Sequence, residues 1–156
     1  MNFWIKGALD DLKETLNKVD IVTINETEAR MIAGCHNLKK AVKAVQALGP
    51  RLVVVKRGEY GVISFNSDSA FFVPAYPLEE VRDPTGAGDT FAGGFMGHLA
   101  RTGDLSETNL RRAMVYGSVM ASFAVEDFGL QRTLRLTNEE IEARFREFKS
   151  LTHFDV

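Results

Sequence analysis

Residues 83–95 read DPTGAGDTFAGGF, and the rest of the chain can be arranged around them. Asp83, Pro84 and Thr85 lead into Gly86, Ala87 and Gly88, whose small side chains let backbone N–H groups converge on an anion without obstruction. A helix is expected to begin there. Its first-turn N–H groups and the positive end of its dipole then face one point, which suits a phosphate whose charge is being redistributed. Asp89 stands at that same end, where a carboxylate can take a hydrogen bond or a proton from a hydroxyl while the backbone holds phosphoryl oxygens. The stretch therefore reads as a phosphoryl-transfer site; the plainer alternative is a glycine-rich turn that caps a helix. Other phosphate motifs fail on spacing. No G-x-x-x-x-G-K-S/T occurs, and 86–88 lacks both the third glycine and the preceding hydrophobic strand of a dinucleotide fold.

On these residues, and on the small Ala92, Gly93 and Gly94 that follow, the stretch resembles the C-terminal signature of the PfkB, or ribokinase-like, carbohydrate kinases. The resemblance implies ATP-dependent phosphorylation of a sugar or nucleoside hydroxyl, with Mg²⁺ as the companion ion. It makes Asp89 the catalytic base and Gly86, Ala87 and Gly88 the anion hole. The implied fold is a three-layer α/β/α sheet, mostly parallel with an antiparallel hairpin.

The chain has 156 residues with 45% hydrophobic content, which fits one domain with a continuous core. A formal net charge of −2 with intermixed signs offers no basic face for nucleic acid or anionic lipid. Cys35 is the single cysteine, so an internal disulfide is excluded and a reducing compartment, the cytoplasm, is expected. No run of eighteen apolar residues suggests a membrane span.

Upstream of the signature, residues 6–18 place Ala8, Leu9, Leu12 and Leu16, with Val19 beyond, at helical spacing and predict one surface helix. Ile21 to Ile24 is a β-branched run that reads as a buried parallel strand, followed by a helix opening at Asn25-Glu26-Thr27-Glu28. Asn25 and Glu28 have the spacing of a capping box; they also match the N-x-x-E motif of the resembled family, which implies that they help place the metal ion and phosphates, Glu28 reaching Mg²⁺ through water. Gly34 should end this helix, and residues 38–48 form another with Leu38, Ala41, Val42, Val45 and Leu48 on one stripe. Leu52 to Val55 reads as the clearest buried strand and delivers Lys56, Gly58 and Gly61 to the same sheet edge as Asn25. The resemblance makes those three nucleotide contacts, with Arg57 adding positive charge; a solvated lysine at a strand end is the alternative for Lys56. Residues 60–65 and 69–74 alternate as a β-hairpin.

Downstream, the helix after Asp89 carries two apolar rows, Phe91/Phe95/Leu99 and Ala92/Met96/Ala100, both expected in the core. Its glycines Gly93, Gly94 and Gly97 point to close packing or ligand approach, and His98 to a packed or surface histidine. Ser106 starts a long helix to Ala124, and the resemblance puts Gly117 and Ser118 in the nucleotide-base pocket, in a cleft between the two helices. It also implies a monovalent-cation shell, K⁺ for example, of Asp83, Thr85, Val125 and Gly129; a simple helix-ending turn at Gly129 is the alternative. Thr137 to Glu140 caps a closing helix with Ile141, Phe145 and Phe148.

The resemblance runs from about residue 19 to 148 and covers only the C-terminal half of the family pattern. The sheet is thus expected to be incomplete on its N-terminal side, with an exposed edge that favours a homodimer, and the chain to be a fragment or a product begun at an internal methionine. Two function classes follow: a kinase carrying the ATP site, anion hole and base, or a non-catalytic nucleotide-binding fragment without the substrate half. A vitamin-precursor kinase of the same superfamily is a third.

Overall fold

The computed structural model describes residues 1–153 and 155. The chain falls into two compact units, residues 1–72 and 73–156.

In the first unit, helices α1 (Asn2–Gly7) and α2 (Leu9–Leu16) precede strand β1 (Ile21–Asn25), α3 (Glu26–Ala33), α4 (Leu38–Gln46), β2 (Leu52–Lys56), β3 (Val62–Phe65) and β4 (Ala70–Val73), whose last residue opens the second unit. The single helix expected over 6–18 is two. Ala8 leaves helical geometry at φ −150°, ψ 53°; the poor helix former Gly7 precedes it, and Asp10 and Asp11 favour a new N-terminus just beyond. Val19 lies past the helix end and is exposed.

β1 and β2 pair in parallel, Ile21 opposite Leu52 through Asn25 opposite Lys56, and β3 runs antiparallel to β2 with β4 beside it. The sheet is therefore mixed, in the order β1-β2-β3-β4. Parallel pairing requires a crossover, and α3 and α4 supply it. Val22, Ile24, Val53 and Val55 pack with Leu16, Ala29, Val42 and Val45 into one apolar cluster, where each large side chain contributes about 1.5–3 kcal/mol of burial. Gly34, at φ 59°, ends α3.

The second unit holds α5 (Ala87–Thr102), α6 (Glu107–Ala124) and α7 (Asn138–Thr152). α5 and α6 touch backbone to side chain. A Cβ on Gly94 would lie 2.8 Å from Met120 Cγ and 2.9 Å from the Tyr116 carbonyl, and one on Gly117 2.8 Å from the Phe91 ring. Phe91, Phe95 and Leu99 are buried as expected. The second row is not core: Met96 is 50% exposed and Ala100 is exposed as well. The α6 contacts fall on Phe91 and Gly94, on the other flank of the 91/95/99 row, so a row turned about 100° the opposite way faces out. α7 starts with a reciprocal Thr137/Glu140 capping box and lays Phe145 on the Tyr116 ring of α6, centroids 4.4 Å apart.

Candidate active site

The first unit gathers Asn25, Glu28, Lys56, Gly58 and Gly61 at the C-terminal ends of β1 and β2. Asn25 and Glu28 make the full capping box: Asn25 Oδ1 accepts from the Glu28 N–H at 2.8 Å, and Glu28 Oε2 accepts from the Asn25 N–H at 2.9 Å. Both readings of the pair thus remain chemically compatible, because the box uses one oxygen of Glu28. The other, Oε1, takes no part in the box. Lys56 faces Asn25 in the strand register. Gly58 and Gly61 both have positive φ, 58° and 80°, and the turn closes with the Arg57 N–H donating to the Gly61 carbonyl at 2.8 Å. Arg57 is drawn back to the start of α3, its Nε donating to Glu26 Oε2 at 3.3 Å.

The second unit assembles the glycine turn and the residues assigned to the cation shell. α5 opens on Gly86, at φ 79°, and no side chain caps it. The short α1 and α2 also lack a side-chain cap, whereas α3, α4, α6 and α7 are capped by Asn25, Asn37, Ser106 and Thr137. Asp89 lies in the first turn of α5 with its side chain exposed. The Gly86 carbonyl accepts from the Thr90 N–H at 2.9 Å and the Thr90 hydroxyl at 3.0 Å, fixing the first turn.

Asp83 anchors the approach to that turn. Its Oδ1 accepts from the Thr85 N–H at 2.9 Å and its Oδ2 from the Gly129 N–H at 3.4 Å. Those bonds, the Thr85 N–H first, hold the Asp83 carboxyl below its ordinary range. The Val125 carbonyl accepts from the Arg82 and Asp83 N–H groups at 2.9 and 3.4 Å. Asp83, Thr85, Val125 and Gly129 are thus brought together in one hydrogen-bonded clasp.

Gly117 and Ser118 lie inside α6 and are buried, Gly117 directly against Phe91. At this point α5 and α6 are in direct contact. His98 is a packed histidine: its Nε2 pairs with Asn109 Oδ1 at 2.9 Å and its ring stacks on Tyr116. A shallow concavity of about 300 Å³ formed by Arg146, Lys149, Ser150 and His153 contains none of the candidate residues. Among the described residues no group of three or more His, Cys, Asp or Glu could hold a metal ion. Among the described residues no helix is long and apolar enough to cross a membrane.

What the sequence did not reveal is the charged network behind the clasp. Glu126 is paired with both Arg132 and Arg144, contacts spanning 6 and 18 positions, and neither pairing has a local signature.

The model of the family described as "pfkB family carbohydrate kinase" matches residues 2–136. The chain belongs to the pfkB family of carbohydrate kinases. It is similar to a cytidine kinase of Thermococcus kodakarensis, 44% identical over 63% of this chain and 36% of the relative. A nucleoside kinase of Methanothermobacter thermautotrophicus is 34% identical over 84% of this chain and 40% of the relative. Among solved structures, an E. coli protein assigned as ribokinase II, in complex with ATP and Mg²⁺, superimposes with a TM-score of 0.74 at 29% identity, covering 88% of this chain and 42% of that one. This pfkB-family chain spans about two-fifths of the length of these relatives. The ribokinase-like fold expected from residues 83–95 is the fold it shares with them.

Proposed function

We propose that this chain carries the ATP site, anion hole and catalytic base of a pfkB-type kinase that phosphorylates a sugar or nucleoside hydroxyl. The observation that carries the reading is the start of α5: a long helix opened by Gly86 in the left-handed region, without a side-chain cap, with an exposed carboxylate in its first turn. Gly86, Ala87 and Gly88 orient the transferring phosphoryl group through backbone dipoles. Asp89 accepts the proton of the attacking hydroxyl. Asn25 and Glu28 hold Mg²⁺, Glu28 through water, and when bound the ion neutralises triphosphate charge. Lys56, Gly58 and Gly61 contact the nucleotide, and Gly117 and Ser118 support the base. The relatives' names, cytidine kinase and nucleoside kinase, favour a nucleoside among the acceptors. The cytoplasm is the proposed compartment, consistent with one free cysteine. β1, an edge of the four-stranded sheet, is the surface proposed for a homodimer.

The length of the chain relative to its kin favours a second reading, a nucleotide-binding fragment that does not turn over. Calorimetric titration with Mg-ATP, followed by ADP release with a panel of nucleosides, pentoses and hexoses, separates the two. Saturable binding with acceptor-dependent ADP supports the kinase; binding without ADP above background supports the fragment. No heat at millimolar nucleotide in a folded sample defeats both.

A further inference from the structure

Behind the glycine turn lies a charged cluster with no place in the phosphate chemistry. The ring of Phe123, in the last turn of α6, carries two guanidiniums: Arg144 Cζ is 3.5 Å from its centroid and Arg132 Cζ 4.7 Å. One carboxylate bridges them. Glu126 Oε2 accepts from Arg132 Nε at 3.0 Å, and Glu126 Oε1 pairs with Arg144 at 2.6 Å. Arg132 is tied onward to Glu140 in the first turn of α7 at 2.6 Å, and Arg144 donates to Ser122 Oγ at 3.1 Å. The network persists at neutral pH: Arg132 holds the Glu140 carboxyl down at about 2, and Glu140 in turn raises Arg132.

Ending α6 needs far less than this. The C-cap of α6 is Val125 in ordinary right-handed geometry, and the Glu126 carboxylate between the two guanidiniums offsets their like charge. The backbone position of Glu126 supplies the missing reason. Its neighbour Val125 offers the carbonyl that receives the Arg82 and Asp83 N–H groups, and Gly129, three residues on, donates to the Asp83 carboxylate. Asp83 then binds the Thr85 N–H, one residue before Gly86. Fixing Glu126 from two sides thus fixes the loop that fixes the entrance to the anion turn.

We propose that Glu126, clamped by Arg132 and Arg144, is the positioning residue of the phosphate-binding turn, acting through the Val125 carbonyl and the Asp83 clasp. Preorganised donors stabilise developing charge only if they do not have to be gathered at the moment of reaction. The inference rests on the kinase reading for its purpose, but its mechanical core is testable without nucleotide.

The experiment compares the whole chain with Glu126→Ala and Glu126→Gln by residue-resolved amide hydrogen exchange, then by Mg-ATP titration. In E126A, which removes both arginine contacts, exchange at Arg82, Asp83 and Gly129 should quicken by about tenfold or more, while amides inside α5 and α6, such as Phe95 and Met114, keep their rates. Mg-ATP affinity should fall by a similar factor. E126Q still accepts a hydrogen bond and should recover most of both effects. Should E126A not fold, Arg132→Met, which keeps an apolar stem over Phe123, replaces it with the same expected pattern at smaller size. Unchanged exchange at those three amides, or equal acceleration there and in the helices, overturns the proposal. Exchange decides for or against Glu126 even if the parent chain ignores Mg-ATP, an outcome that would count against the kinase reading instead.

Discussion

Two helix starts that carry similar short polar and acidic residues are built in different ways. α3 opens with Asn25 and Glu28 satisfying each other's backbone N–H groups, whereas α5 opens on Gly86 at φ 79° with no side chain in the capping position. Orphan N–H groups at a helix start must find acceptors somewhere. α3 brings its own, in the manner of α4, α6 and α7. In α5 the capping position is a glycine with no side chain to offer, and the Asp83 clasp fixes the approach to its first turn. The difference teaches that a capping carboxylate and a reactive carboxylate are told apart by their partners: Glu28 is held by its own helix, and Asp89 stands exposed.

The contrast breaks most sharply at Asp89. Asp89→Asn should lower phosphoryl transfer by about 10²–10⁴-fold, the usual span for a general base, while Mg-ATP binding stays nearly intact; steady-state ADP release and calorimetry read the two separately. Retained turnover would return Asp89 to the class of ordinary first-turn acids. Next in size is the α5–α6 seam. Gly117→Ala must displace Phe91 and should cost about 1–3 kcal/mol in denaturant unfolding. Asn25→Ala removes a cap and should cost about 1 kcal/mol by the same measurement, sharpening the claim that α3 depends on its side chains. Gly97→Ala goes the other way. A Cβ there meets nothing within 4 Å, so the better helix former should add about 0.5–1 kcal/mol.

Acid provides the smallest effect. The Glu140 carboxyl is lowered from 4.5 to about 2 by Arg132 and by the Thr137 N–H. Its contribution is therefore fully present above pH 4.5 and is lost as pH falls toward 2, because the unfolded chain takes up the proton first. Glu140→Gln should flatten the acid limb of a thermal-melt series in that window.

Much of this was legible because it is local. Ile21–Val22–Thr23–Ile24 and Leu52–Val53–Val54–Val55 advertise strands by composition, Asn25-x-x-Glu28 and Thr137-x-x-Glu140 advertise caps by spacing, and both caps form. Where the reading failed, the deciding contact came from elsewhere in the chain. Met96 and Ala100 look apolar enough for a core, but which flank of α5 meets α6 is set by Gly94 and Gly117, whose message is absence of a side chain. The break at Ala8 is hidden in a sequence whose apolar spacing continues across it. Glu126 reads as an unremarked loop acid; its two arginines are brought in by the turn after α6 and by α7.

The central claim, that the start of α5 is a phosphate cradle, is tested most directly by following the backbone amides of Gly86, Ala87 and Gly88 by NMR as Mg-ATP is added. The account predicts that these three amides shift progressively and saturate together, with those of α4, between α3 and β2 in sequence, unmoved. Amides at Gly86 to Gly88 that stay at their free positions while the nucleotide binds elsewhere would contradict it.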